Sequence, residues 1–156
     1  MMDMDDGSDV ARVTIQSHRG ALIASIQVDL EDRVLRRFQS DLLEQVRSSK
    51  ARAVIIDLTG VEVMDGADFD GLRRTIDMVS LMGTPTILCG LRPGVAAALV
   101  DLNVATEGLQ TSLSLDRALD AIAAAELHDA TLADSEGSRD QEATDEQPGE
   151  TALDRD

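Results

Sequence analysis

A chain of 156 residues with 43% apolar content is long enough to bury the core of one globular domain, and its formal net charge is −16. The charge sits at the ends: Asp3, Asp5, Asp6 and Asp9 supply −4 before residue 11, residues 126–156 set eleven acids against Arg139 and Arg155, and residues 11–125 keep only −3. An acidic chain with no Trp or Tyr argues against nucleic acid and against an anionic membrane, because a phosphate backbone attracts cations and bases need stacking platforms.

In chain order, residues 1–10 are expected to be disordered. V-T-I at 13–15 and A-L-I-A-S-I at 21–26 flank the turn-prone S-H-R-G and predict a β-hairpin. Over 31–49, Val34, Phe38, Leu42 and Val46 recur every four residues with Leu35 alongside, which predicts an amphipathic helix with Asp29 as a possible cap. The run A-V-I-I-D-L at 53–58 reads as a strand covered on both faces, and T-I-L-C at 86–89 repeats the pattern. Between them Leu72, Ile76 and Val79 mark a second helix. Pro93 suits the first turn of a third, and a last helix is predicted over 115–126 after a short strand. The order describes an α/β fold with helices packed on a mostly parallel sheet of four to five strands. The domain spans 11–127. The tail 128–156 is rich in Asp, Glu, Ser, Thr and Gln, cannot repay its ordering entropy and is expected to be disordered.

Cys89 is the only cysteine, so no intramolecular disulfide forms, and no stretch reaches the roughly 18 apolar residues of a membrane span. Aspartates stand where a secretory signal would carry cations. A cytoplasmic protein is expected.

The most unusual segment is V-E-V-M-D-G-A-D-F-D-G at 61–71, directly after the strand at 53–58. Asp65, Asp68 and Asp70 read most simply as first-turn carboxylates on the following helix. Gly66 reads as a turn residue needing φ > 0 or a close backbone approach. Counting Gly66 as position one puts Asp68, Asp70, Gly71 and Asp77 at positions three, five, six and twelve of a calcium loop. That reading lacks the first carboxylate and the long Glu at twelve, and it conflicts with the helical register of Leu72 and Ile76. His18 and His128 are too far apart in sequence to suggest a ligand pair, so no metal or other cofactor is expected. A two-component receiver with Asp57 as phosphoryl acceptor is a further alternative. It lacks the acidic pair after the first strand that would hold Mg²⁺, and the late lysine too, since Lys50 is the only lysine. No nucleotide-binding or nucleophile motif is present, and Cys89 in an apolar strand reads as packing, so no enzymatic activity is expected.

L-I-A-S-I-Q-V-D-L-E-D at 22–32, F-Q-S-D-L-L at 38–43, V-I-I-D-L-T at 54–59, L-M-G at 81–83 and G-L-R-P-G-V-A-A-A-L-V-D-L at 90–102 follow one another in an order and spacing that resemble the STAS family of anti-sigma-factor antagonists. Within it the resemblance is to the RsbS-like stressosome scaffolds. It implies a non-enzymatic protein that binds an RsbT-like serine/threonine switch kinase and assembles with RsbR-like STAS paralogues. It also implies control by phosphorylation of a hydroxyl directly after an Asp, at the start of the helix following the third strand. The matching pair here is Asp65-Gly66, and Gly66 has no hydroxyl, which would leave this chain fixed in the kinase-binding state. Asp65, Gly66, Ala67, Asp68 and Asp70 are then expected on the partner-binding surface, with Thr59 and Thr75 as other conceivable acceptors. A simpler anti-anti-sigma factor, like SpoIIAA, engaging an anti-sigma kinase one to one is the alternative within the family.

Overall fold

Arg19 and Gly20 both adopt positive φ, 50° and 78°, which is what a two-residue hairpin turn matched to the right-handed twist of its strands demands. They join β1 (Thr14–His18) to β2 (Ala21–Ser25) in antiparallel register, Thr14 opposite Ser25 and His18 opposite Ala21. The structure, a computed structural model, describes residues 11–137.

From β2 the chain repeats one move three times. It passes through α1 (Asp32–Ser48) to β3 (Ala53–Asp57), through α2 (Gly66–Leu81) to β4 (Thr86–Cys89), and through α3 (Pro93–Asp101) to β5 (Gln110–Ser112). Each new strand lies parallel beside its predecessor, so the sheet order is β1-β2-β3-β4-β5. All three helices therefore begin at the carboxyl end of the parallel strands and end at the amino end.

Alternate strand residues Leu22, Ala24, Val54, Ile56 and Leu88 form one core with Val34, Phe38 and Leu42 of α1, Leu72 and Val79 of α2, and Val95 and Leu99 of α3. Phe38, Leu42, Leu72 and Val79 are almost wholly buried, each stabilising the fold by about 1.5–3 kcal/mol relative to exposure. The intervening residues Ala21, Ile23, Ala53, Ile55, Ile87 and Cys89 point to the opposite face and are buried as well. This double burial is why β3 and β4 are continuous apolar runs, while β1, an edge strand, carries exposed Gln16 and Ser17.

Two details differ from the sequence reading. The residue preceding α1 is Glu31, which makes no side-chain cap bond, so Asp29 does not cap that helix. The last helix, α4, runs over Leu115–Gly137 and does not stop at 126. Residues 128–137 were expected to be disordered and are instead helical: Ala125, Ala130, Ala133 and the long side chains between them favour helix even without burial. Residues 1–10 and 138–156 lie outside the described residues. The chain divides into two compact units after Ala121, the second consisting, among the described residues, of the remainder of α4 with Leu127 and Leu132 exposed.

Candidate functional site

β3 ends in Asp57, whose Oδ1 accepts from the backbone N–H of Thr59 at 3.0 Å and from its hydroxyl at 2.5 Å. The neighbouring strand tightens the turn. Gly90, directly after β4, has φ +73°, and a Cβ there would collide with Thr59 Oγ1 and stand 2.8 Å from Asp57 Oδ1. Arg92 then reaches back, donating from Nε to the Thr59 carbonyl at 3.0 Å and from Nη1 to Glu62 at 3.3 Å. A carboxylate, a hydroxyl, a glycine and a guanidinium from two adjacent loops thus lock the start of the 58–65 connection.

Beyond this lock Val61 and Met64 are buried, while Val63 between them is 82% exposed. The chain enters α2 through Asp65, an N-cap with extended backbone (φ −94°, ψ 178°). Asp65 Oδ1 accepts from the Asp68 N–H at 2.8 Å, and Asp68 Oδ2 accepts from the Asp65 N–H at 3.1 Å. This reciprocal capping box satisfies two backbone donors, and Phe69, 2% exposed, anchors the first turn in the core. Partial burial first, and then the carboxylates of Asp65 and Asp29, raise the pKa of Asp68 against the opposing pull of the Asp65 N–H.

Gly66 is the first residue of α2. Its φ is not in the left-handed region, and nothing lies within 4 Å of where a Cβ would stand. The sequence expectation that this glycine serves a positive φ or a close approach is therefore overturned. Close approach belongs instead to Gly71, where a Cβ would meet Leu35 Cδ1 of α1 at 2.8 Å, and to Gly90. Ala67 is exposed on the first turn beside Gly66, whereas Asp70, also exposed, lies one turn further along α2 and is not the first-turn carboxylate expected from the sequence. Thr75 is fully buried and its hydroxyl donates to the Gly71 carbonyl, out of reach of a modifying enzyme.

The calcium-loop reading fails on geometry, because residues 66–77 form continuous helix and cannot wrap an ion. Among the described residues no three potential metal-ligating side chains gather at one point. The receiver reading fails on topology: receivers order their parallel strands 2-1-3-4-5, whereas this sheet runs 1-2-3-4-5 with an antiparallel edge. The Asp57 carboxylate, moreover, is engaged by Thr59. Burial, and secondarily Asp57, push the Cys89 thiol up to about 11, which keeps it inert. His18 stands exposed at the hairpin turn and His128 exposed on α4.

The sequence pointed correctly to Asp65 and Asp68 as helix-start carboxylates and missed the Thr59–Gly90–Arg92 lock. Asp57-x-Thr59 is a local turn signal that could have been read. Arg92 could not, since its contact spans 33 residues and requires β3 and β4 to be neighbours.

The STAS domain family model matches residues 12–118. Among curated proteins, the chain is similar to the RsbT co-antagonist protein RsbRD of Bacillus subtilis (strain 168), 31% identical over 84 residues that make up 54% of this chain and 30% of RsbRD. It thus spans less than a third of that relative's length. Among solved structures it is similar to a serine-to-glutamate variant of RsbS from Moorella thermoacetica, with TM-score 0.65 and 26% identity over 74% of this chain and 98% of that one. A chain from the molecular architecture of the stressosome, a signal integration and transduction hub, gives TM-score 0.65 and 25% identity over 72% and 98%.

Proposed function

We propose, from the premise that this chain belongs to the STAS domain family, that it is a non-enzymatic, RsbS-like scaffold that sequesters an RsbT-like serine/threonine kinase in a stressosome-type assembly with RsbR-like paralogues, in the cytoplasm. The observation that carries the reading is the state of position 66. The capped helix start presents Asp65, Gly66, Ala67 and Asp70 to solvent or near it, on the surface where the family resemblance puts the switch. A phosphate there would gain from the helix N-terminus and add about −2 of charge beside a docked partner. Gly66 offers no hydroxyl, and the space around it shows that the backbone does not require glycine. The scaffold consequently holds its kinase without a release switch at this position. Among the described residues no helix is long and apolar enough to cross a membrane.

A second reading is favoured by one observation, the 31% identity to RsbRD, and makes this chain the STAS portion of a co-antagonist. Coverage of 98% of the RsbS chain favours the scaffold. Mixing the protein separately with RsbS-like and RsbR-like partners distinguishes the two, because a scaffold assembles with RsbR-like chains into a large particle. A persistent 1:1 complex with a kinase would instead support the simple antagonist.

The decisive experiment incubates the full chain with an RsbT-like kinase and ATP. The wild type should stay unmodified and keep the kinase bound, whereas Gly66→Ser should gain phosphate at residue 66 and release it. Asp68 and Asp70 oppose a phosphate by charge, so transfer to the serine variant should be slow. Phosphate on Thr59 of the wild type accompanied by kinase release would sink the proposal.

A further inference from the structure

The proposed site uses the start of α2 and leaves the rest of that helix unassigned. Arg73, Ile76, Asp77 and Ser80 stand three and four residues apart and so share one face of α2. That face, the start of β4 and the approach to β5 border a cleft of about 140 Å³. Its most deeply buried lining residues are Ile76 and Thr86, each 8% exposed. Thr86 pairs in register with Val54, a member of the core that includes Leu72 and Val79 of α2, so Thr86 is also turned toward α2. Its hydroxyl is buried and, among the described residues, has no hydrogen-bond partner. Folded proteins keep such groups rare, because the hydroxyl has left water without a replacement. At the same cleft Arg73 crosses from α2 to the loop before β5: Nε donates to Asp77 Oδ1 at 3.1 Å and Nη1 to the Ala105 carbonyl at 3.2 Å. Neither contact uses Nη2 of Arg73 or Oδ2 of Asp77.

We infer that this cleft binds a small zwitterion whose ammonium and carboxylate are carried on one carbon, the chemistry of a small α-amino acid. Size sets the first limit. A protein cavity of about 150 Å³ admits benzene, with about six non-hydrogen atoms, and alanine is of that size. Charge sets the second: Arg73 and Asp77 cancel, so a ligand with one net charge would bring a charge that the site does not match. A zwitterion matches both. Its carboxylate takes the Nη2 donors of Arg73 and the hydroxyl of Thr86, its ammonium takes Asp77 Oδ2, and its short side chain lies against Ile76 and Leu109. Occupancy bridges α2 to the approach to β5 and stabilises the folded chain in step with ligand concentration. This inference does not depend on the kinase reading.

The test titrates L-alanine into the full, isotope-enriched chain and follows its amide signals. Those of residues 73–80, 86–88 and 108–110 should move together and saturate, with half-saturation on the order of 1 mM, while those around Asp65 stay in place. Acetate and methylammonium, each carrying one of the two charges, should give no saturable shift at the same concentrations. Asp77→Asn keeps the size and removes the ammonium's partner, and Thr86→Val keeps the shape and removes the hydroxyl. Each should weaken alanine binding about tenfold while the rest of the spectrum remains that of the wild type. Asp77 is exposed, so its variant keeps the test open even where Thr86→Val does not fold. Absence of saturation at ~50 mM alanine overturns the inference. Acetate binding as tightly as alanine overturns it too, since the site would then be an anion site of Arg73 alone, and so does alanine binding that Asp77→Asn leaves unchanged.

Discussion

Gly66 and Gly90 both follow a central parallel strand, Gly66 as the first residue of α2 and Gly90 in the connection from β4 to α3, and they obey different constraints. Gly90 sits at φ +73° with Thr59 Oγ1 and Asp57 Oδ1 pressed against the face where a side chain would project. Gly66 has ordinary helical-side φ and open space. One glycine is demanded by packing between adjacent loops, and the other is not demanded by the fold at all. The contrast separates a structural residue from one whose identity bears on what the surface can undergo.

The sharpest way to break this contrast is to give both positions a methyl group. Gly90→Ala should cost about 3 kcal/mol, combining the positive-φ penalty with overpacking against Asp57 and Thr59. Gly66→Ala should instead gain about 0.5 kcal/mol by restricting the unfolded chain. Urea unfolding of the two variants measures the difference, and equal effects would refute it.

A smaller loss tests whether the α2 start is held by its own carboxylates. Asp65→Ala removes the reciprocal bonds with Asp68 and should cost about 1 kcal/mol, read as a lower urea midpoint at unchanged slope. By contrast, α1 begins at Glu31 without a side-chain cap, so Glu31→Ala should change stability by less than about 0.5 kcal/mol.

The smallest effect concerns pH. The folded pKa of Asp68 lies above the ordinary carboxylate value, so the folded chain holds this proton more tightly than the unfolded chain does. Its contribution to stability is therefore greatest below the unfolded pKa and is lost as pH rises through the folded pKa. Relative to Asp68→Asn, the wild type should gain stability as pH falls from neutrality through the carboxylate range. Parallel unfolding curves at several pH values check this, and a difference that is flat or that shrinks toward acid contradicts the assignment.

Much of the fold is legible in the residues because it is written locally. The four-residue recurrence from Val34 to Val46 gives α1, the apolar runs at 53–58 and 86–89 give the doubly covered strands, and Pro93 marks the start of α3. Asp65 and Asp68 were legible for the same reason, as their partners lie three residues apart. What was not legible depends on neighbours distant in sequence. The need for glycine at 90 comes from Asp57 and Thr59 across the β3–β4 pair, and the freedom of Gly66 comes from a space that only the folded loops define. The helical extension to Gly137 is illegible for another reason: its polar composition signals disorder, although its alanines and long side chains favour helix.

Strand order equal to chain order has a kinetic meaning. Every parallel pairing in this sheet joins segments separated by one helix, so closing each contact requires only a loop of a few tens of residues and never a return to an earlier edge. Because closure entropy grows with loop length, each of these pairings costs less to close than a return to an earlier, more distant edge would. During synthesis the hairpin emerges first and each βα unit finds its docking edge already present, so β3, β4 and β5 add in the order in which they leave the ribosome.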